Sequence, residues 1–315
     1  MTASVATGDT ISVVIAAHML ERSAELGRAT ASALAQEPPP REVVVAVDNN
    51  PDLYEWVRSQ LPEAIAVLNR GVRGASATRN CGARVASGAV LAFLDDDAVA
   101  RHDWLQNLTA PLARHDVAGV GGHLEPLWLG RPPEWMPEEF LWVVGASYRG
   151  MPGTGAPVRN VWSGNMGVAR TDFWSVGGFR EGFGKTGQGS RPEDTDFCIR
   201  LSAALEGRSW WHEPSARVGH RVPPGRGTFR FFVRRCYSEG QGKAEMALLL
   251  GPQERLLDER RYATRTLPDG VRRELRQAVS DREFAAAQRA SAIGLGLGAA
   301  GLGYIVQRAR PRALA

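Results

Sequence analysis

Through its first hundred residues the chain alternates short β-branched runs with stretches of helical spacing. The run ISVVI at 11–15 predicts a first strand. Apolar positions Leu26, Ala29, Ala33 and Leu34 then predict a helix over 23–36, stopped by EPPP at 37–40. VVVAV at 43–47 predicts a second strand ending in Asp48-Asn49-Asn50, and Pro51 opens a helix over 52–61. AIAVL at 64–68 is a third strand. A Gly-containing loop at 69–74 leads to a helix carrying Arg79, Asn80 and Arg84, closed by Gly88. VLAFL at 90–94 is the fourth strand, and it stops in three carboxylates, Asp95, Asp96 and Asp97. Continuously apolar strands alternating with helices predict an α/β fold: a mostly parallel, Rossmann-like central sheet covered on both faces. Ligands gather at the carboxyl ends of such strands, so Asp48 and Asp95 to Asp97 are expected along one edge.

Beyond Asp97 a helix is predicted over 102–113 and a strand over 117–122. From 127 to 159 the texture changes to Trp, Pro and Gly, with Trp128, Trp135, Trp142 and Tyr148, and reads as a long loop region. Short runs at 161–165 and 166–170 precede a turn at Gly177-Gly178. A helix over 193–205, a strand over 209–212 and a loop around His220 complete the predicted domain. Residues 228–250 predict a basic amphipathic helix, and 253–289 a charged, peripheral helical region. The expected organisation is one α/β domain over 1–225, with a first half at about 10–125 and a second at about 126–225. A helical C-terminal extension covers 226–315. Within it, 290–306 is uncharged and Gly-rich and is followed by Arg308, Arg310 and Arg312. The readings that stay open are a membrane-inserted or interfacial segment, a small-residue helix packed on the domain, or a loose tail.

Composition narrows the partners. The 315 residues have a net charge of +4, and only Lys185 and Lys243 among the 38 basic residues are lysines. So small an excess does not imply nucleic acid. Cys81, Cys198 and Cys236 are scattered and odd in number, which argues against a zinc site or a disulfide framework and fits a reducing cytosol. Residues 1–9 lack the pattern of a signal peptide, so the expected location is cytoplasmic, at or near the inner face of the membrane.

The acids carry the chemistry. Packing disfavours three adjacent carboxylates, because like charges repel and resist desolvation. A divalent cation bound to a phosphate ester suits them, which makes this a candidate metal and nucleotide-sugar corner. Asp-x-Asp spacing in an extended segment sends Asp95 and Asp97 to one side, whereas helix capping would need only one acid. At 190–196, Ser190 and Glu193 have capping-box spacing at the head of a helix. A carboxylate held there by the helix dipole is expected to stay ionised, as a general base must. His220 is a lone histidine, structural or able to complete a metal shell begun by carboxylates.

In order, Val13-Val14-Ile15, Asp48, the GASATRNCG run at 74–82, FLDDD at 93–97, Gly164-Asn165, Gly177-Gly178-Phe179, Glu193-Asp194 and His220 resemble family 2 glycosyltransferases of the GT-A fold. The resemblance spans residues 10–222 and implies that 1–225 is a catalytic domain, with a nucleotide-binding half at about 10–125 and an acceptor half at about 126–225. It implies an inverting transfer of one sugar from a nucleoside-diphosphate sugar to an acceptor hydroxyl on a cell-surface glycan, glycolipid or natural product, with Mg²⁺ or Mn²⁺. It implies nucleotide-sugar contacts at Ala16, His18, Asp48, Arg79, Asp95, Asp96, Gly164 and Asn165. It also implies metal ligation by Asp95, Asp97 and His220, and catalysis at Asp194 with Glu193. This chain has Ala16-Ala17-His18-Met19 where the family commonly has Pro-Thr-Tyr-Asn, which leaves base recognition undetermined. It also lacks the Gln-x-x-Arg-Trp signature of processive synthases. The rival readings are a nucleotidyltransferase of similar fold, disfavoured by the absence of a Gly-rich basic loop after strand one, and a non-catalytic sugar- or membrane-binding scaffold.

Overall fold

The computed structural model describes residues 10–153, 155–186, 189–249 and 257–309. The expectations for 1–9, Arg310 and Arg312 lie outside the described residues. The chain divides into two compact units. The first comprises the described residues up to Glu125 together with Pro152 to His220; the second comprises Pro126–Met151 and the described residues from Arg221 onward.

In the first unit, β1 (Ile11–Ala17), α1 (Ser23–Leu34), β2 (Glu42–Asp48), α2 (Pro51–Gln60), β3 (Ile65–Asn69), α3 (Ala75–Val85) and β4 (Val90–Asp95) follow in the expected alternation. The α2 start has a visible cause: the Asn50 side chain accepts from the Leu53 N–H at 3.1 Å, with Pro51 in the first turn. After β4 come β5 (Ala98–Ala100), α4 (Trp104–Thr109), β6 (Val117–Trp128), β7 (Ala156–Val158), β8 (Asn165–Ala169), α5 (Arg170–Ser175), the hairpin of β9 (Gly184–Thr186) and β10 (Gly189–Arg191), α6 (Glu193–Ala204) and β11 (Ser209–Val222). The main sheet runs β3-β2-β1-β4-β8-β6-β11-β5, with β7 on β11. The β3-β2-β1-β4 half is parallel, whereas β8 pairs antiparallel to β4. Alternate residues feed two cores. Val13, Ile15, Val43, Val45 and Leu94 pack on one face; Val14, Val44, Leu91 and Phe93 pack on the other. Burying each such side chain contributes about 1.5–3 kcal/mol.

The expected helix over 102–113 is split, because Pro111 cannot donate, and its second half is a 3₁₀ turn (Ala110–Ala113). The expected loop around His220 is instead the end of the 14-residue β11. Its buried positions Ala216, Val218, His220 and Val222 alternate as one strand face. The loop region contains β7 and a 3₁₀ turn at Glu138–Val144. Ser190 lies in β10 and α6 starts at Glu193, so Glu193 is the first helical residue and the capping box does not form.

One buried cross-link secures the middle of the sheet. Asn165 accepts from Trp104 Nε1 at 2.8 Å and donates to the carbonyls of His123 and Ala216 at 3.1 and 2.9 Å.

The second unit contains α7 (Phe229–Leu249), α8 (Leu257–Arg261), a π-helical turn (Tyr262–Thr266), α9 (Leu267–Ser280) and α10 (Phe284–Ala309). Its core gathers Phe140, Val143, Val222, Phe232, Leu267 and Ile293, with Trp135 edge-on to Phe232 at 5.4 Å. The Gly-rich segment expected at 290–306 lies inside α10, and one face of it packs on α7. A Cβ at Gly240 would collide with the Ala300 carbonyl, and one at Gly303 with the Tyr237 carbonyl. Gly298 faces open space.

These contacts separate glycines that allow packing from glycines that only lower helix propensity. Gly298→Ala is expected to stabilise the protein by up to about 1 kcal/mol, whereas Gly303→Ala should lower its thermal midpoint, both read by circular-dichroism melts. Asn165→Ala, which strands three buried groups, should cost about 2–4 kcal/mol in denaturant titrations.

Candidate active site

The acid corner forms where β4 ends. Asp95 pairs with Ala16 of β1, and Asp96 and Asp97 turn the chain into β5. Ala98 of β5 then pairs antiparallel with His220 of β11. This register brings Asp97 to His220, with Oδ1 3.5 Å from Nε2. Ligand atoms of Asp95, Asp97 and His220 all lie within 4.8 Å of one another. Asp95 and Asp97 converge as expected, but through a turn rather than an extended segment. Two carboxylate oxygens and one imidazole nitrogen, facing one another, form a donor set that fits a divalent ion such as Mn²⁺ or Mg²⁺. Gly164 completes the cradle: any Cβ there would strike the Asp95 carboxylate.

Two guanidinium groups hold the corner. Arg79 projects from α3, whose Gly82 lets the helix lie close on the sheet, since a Cβ there would meet Val14 at 2.6 Å. From this buried position Arg79 donates to Asp95 Oδ1 at 2.8 Å and to Glu193 Oε1 at 3.4 Å. The second is Arg22, at the end of a 3₁₀ turn (Leu20–Arg22). It pairs with Asp96 Oδ1 at 3.2 Å and closely with Asp97 Oδ2. The sequence reading missed Arg22, because nothing local marks an arginine 74 positions upstream of the acid it meets. Even so, burial and the charges of Asp97 and Asp95 outweigh Arg22 and push the Asp96 carboxyl up to about 7.

Through Arg79 the corner reaches the head of α6. Glu193 is committed to that arginine. Asp194 accepts a hydrogen bond from Ser163, also missed in the sequence, while its Oδ1 is enclosed without a partner among the described residues. Burial first, then the neighbouring Glu193 charge, push the Asp194 carboxyl up to about 7 against the pull of Arg79 and Ser163. The expectation that the helix dipole alone keeps it ionised is therefore corrected: desolvation at this helix head exceeds the dipole's effect. Asp196 in the same turn is bound to Arg200 at 2.8 Å and Arg180 at 3.3 Å.

The remaining expected residues divide. Asp48 ends β2, two strands from Asp95 and so about 10 Å away across β1. Its oxygens accept from Gly74 N–H at 2.9 Å and from Asn69 at 3.1 Å, which ties down the loop before α3. Ala16 lies at the same strand edge, and His18 is exposed just past it, its carbonyl accepting from Asn50 at 3.1 Å. Asn165 does not present its amide to this site. It is 1% exposed, and both N–H groups are spent on protein carbonyls, so its expected donor contact gives way to the structural role above.

Comparison with known proteins agrees with this geometry. The chain is 32% identical over 300 residues to a glucosyl-dolichyl phosphate glucuronosyltransferase of Haloferax volcanii, covering 94% of this chain and 95% of the relative. It is 28% identical over 240 residues to the succinoglycan biosynthesis protein ExoM of Rhizobium meliloti, with 70% of each covered. Two solved structures share the fold. A Pyrobaculum calidifontis mannosyltransferase in complex with GDP-Man and Mn²⁺ has a TM-score of 0.57 at 18% identity, over 94% of this chain and 86% of that one. GalNAc-T7 with UDP, GalNAc and Mn²⁺ has a TM-score of 0.53 at 19% identity, over 81% of this chain and 54% of that one. The sequence profile of glycosyl transferase family 2 matches residues 12–177. The parallel half-sheet with acids at its carboxyl edge is thus the GT-A arrangement, and the chain belongs to glycosyl transferase family 2 and is a glycosyltransferase.

Proposed function

We propose that this enzyme moves one sugar, with inversion, from a nucleoside-diphosphate sugar to a hydroxyl of a lipid-linked acceptor. The observation that carries the reading is the Arg79 bridge. One guanidinium joins the acid corner at Asp95 to the head of α6, so diphosphate-side and acceptor-side groups belong to one site. Asp95, Asp97 and His220 would hold the divalent ion, which would offset the charge of the departing diphosphate. Asp48 and the Ala16–His18 edge would border the nucleotide, and Gly164, by lacking a Cβ, lets the Asp95 carboxylate lie against its backbone. Asp194 takes the proton of the acceptor hydroxyl, whose oxygen attacks the anomeric carbon from the face opposite the diphosphate. The enclosed Oδ1, without a partner among the described residues, suits that role, because a buried carboxylate oxygen is costly unless a ligand donates to it. Glu193, held by Arg79, adds its charge to the burial that raises the Asp194 carboxyl.

The lipid-linked acceptor is supported by the relative that glucuronidates a glucosyl-dolichyl phosphate and by the outer face of α10. Phe284, Leu295, Leu302 and Ile305 are 55–76% exposed on that 26-residue helix, the longest apolar one among the described residues. With its opposite face packed on α7, α10 is suited to lie on a lipid surface.

Transfer is expected to vanish in Asp97→Ala and Asp194→Asn, followed as nucleoside diphosphate released from UDP-, GDP- and dTDP-sugars with Mn²⁺. Full turnover in either variant would refute the assignment. The acidic limb of the wild-type rate profile should fall near pH 7 rather than near 4, since a base with a raised pKa loses its free lone pair as pH drops through that value. Stability should run the other way. The folded protein holds this proton up to about pH 7, whereas the unfolded chain releases it near pH 4. Stability therefore declines as pH rises across that window, and Asp194→Asn should melt higher than wild type at pH 8. Finally, Leu302→Glu with Ile305→Glu should reduce co-sedimentation with phosphatidylcholine–phosphatidylglycerol vesicles; unchanged co-sedimentation would remove α10 as the lipid contact.

A further inference from the structure

We propose that Arg22 is a resident counter-cation of the acid corner: it balances Asp96 and Asp97 when no divalent ion is present and opposes the ion when one binds. Every turnover releases a nucleoside diphosphate. If the metal departs with it, three consecutive carboxylates are left together in a poorly hydrated turn. Asp96 and Asp97 are 7% and 8% exposed, so water alone screens them poorly. Arg79 cannot serve both, because its guanidinium is engaged by Asp95 and Glu193. His220 meets the Oδ1 side of Asp97 and carries charge only when protonated. Arg22 covers what remains, spanning Asp96 Oδ1 and Asp97 Oδ2. Its position is suited to a reversible role: its side chain is 28% exposed, and it closes a three-residue 3₁₀ turn with no buried residue. A cation already paired with Asp97 must weaken the binding of a second one there, because two positive charges sharing a carboxylate repel.

This inference rests on reading Asp95, Asp97 and His220 as the metal holders, and the test keeps the two apart. Full-length wild type, Arg22→Gln, Arg22→Lys and the double variant Arg22→Gln/Asp96→Asn are melted in EDTA and titrated with Mn²⁺ alone by electron paramagnetic resonance. In EDTA, Arg22→Gln should melt about 5 °C or more below wild type. Arg22→Lys should stay close to wild type, and the double variant should recover most of the loss, since it removes the acid along with its partner. Saturating Mn²⁺ should raise the melting point of Arg22→Gln more than that of wild type, and Arg22→Gln should bind Mn²⁺ several-fold more tightly. An Arg22→Gln protein that melts like wild type in EDTA, or that binds Mn²⁺ more weakly, overturns the proposal. If Arg22→Gln does not fold, a folded double variant supports the charge role and an unfolded one overturns it in favour of packing. A wild type that binds no Mn²⁺ defeats the metal reading, while the EDTA melts still decide whether Arg22 balances the acids.

Discussion

The structure depends on charge balance in a small, partly dry volume. Asp95, Asp96, Asp97, Glu193 and Asp194 come together around two guanidinium groups, Arg22 and Arg79. Two carboxylates about 5 Å apart repel by about 3 kcal/mol at an effective dielectric constant of about 20. The cluster is therefore expensive, and two of its carboxyls respond by holding protons to about pH 7. Strain of this kind is tolerated where binding a ligand relieves it. On the proposed reading, a divalent ion and a diphosphate would together bring the charges that relieve it.

Topology places the acids where they can be used. The parallel strands β1 to β4 deliver Asp48 and Asp95 to one edge, as crossover connections require. The antiparallel elements do something the parallel half could not. The turn at Asp96-Asp97 feeds β5 onto β11, and that pairing carries His220 from 123 positions away to the side of Asp97. Asn165 supports the arrangement from beneath, tying β8 to the Trp104 ring and to the backbones of β6 and β11. Its burial explains how a residue beside the site can matter for stability while leaving nothing for a sugar to touch.

The second unit shows how one sequence feature can hold two properties. The glycines of α10 lower its helix propensity, yet Gly296 and Gly303 bring it onto aromatic rings and onto the α7 backbone at distances no side chain would allow. The same helix leaves Leu295, Leu302 and Ile305 outside. Of the readings of residues 290–306, the packed helix describes one face of α10, and the opposite face carries exposed apolar side chains.

Local pattern alone determined the strand and helix order of the first hundred residues, because continuous apolar runs and Pro or Gly stops act within a few positions. It also marked the DDD run, whose adjacency has no packing explanation, and as an ordered set the motifs pointed to the family. What local pattern could not reach were the pairings made at long range. Arg22 looked like any surface arginine until the turn after β1 set it over Asp96 and Asp97. Ser163 acquired meaning only beside Asp194. His220 read as a loop residue because its strand is defined by partners elsewhere in the sequence. The protonation of Asp194 was misjudged for the same reason: a helix head can be seen in sequence, but the burial that overrides its dipole comes from the packing around it. Charge and hydrogen-bond partners across a folded sheet depend on register, and register is settled only when the whole core closes.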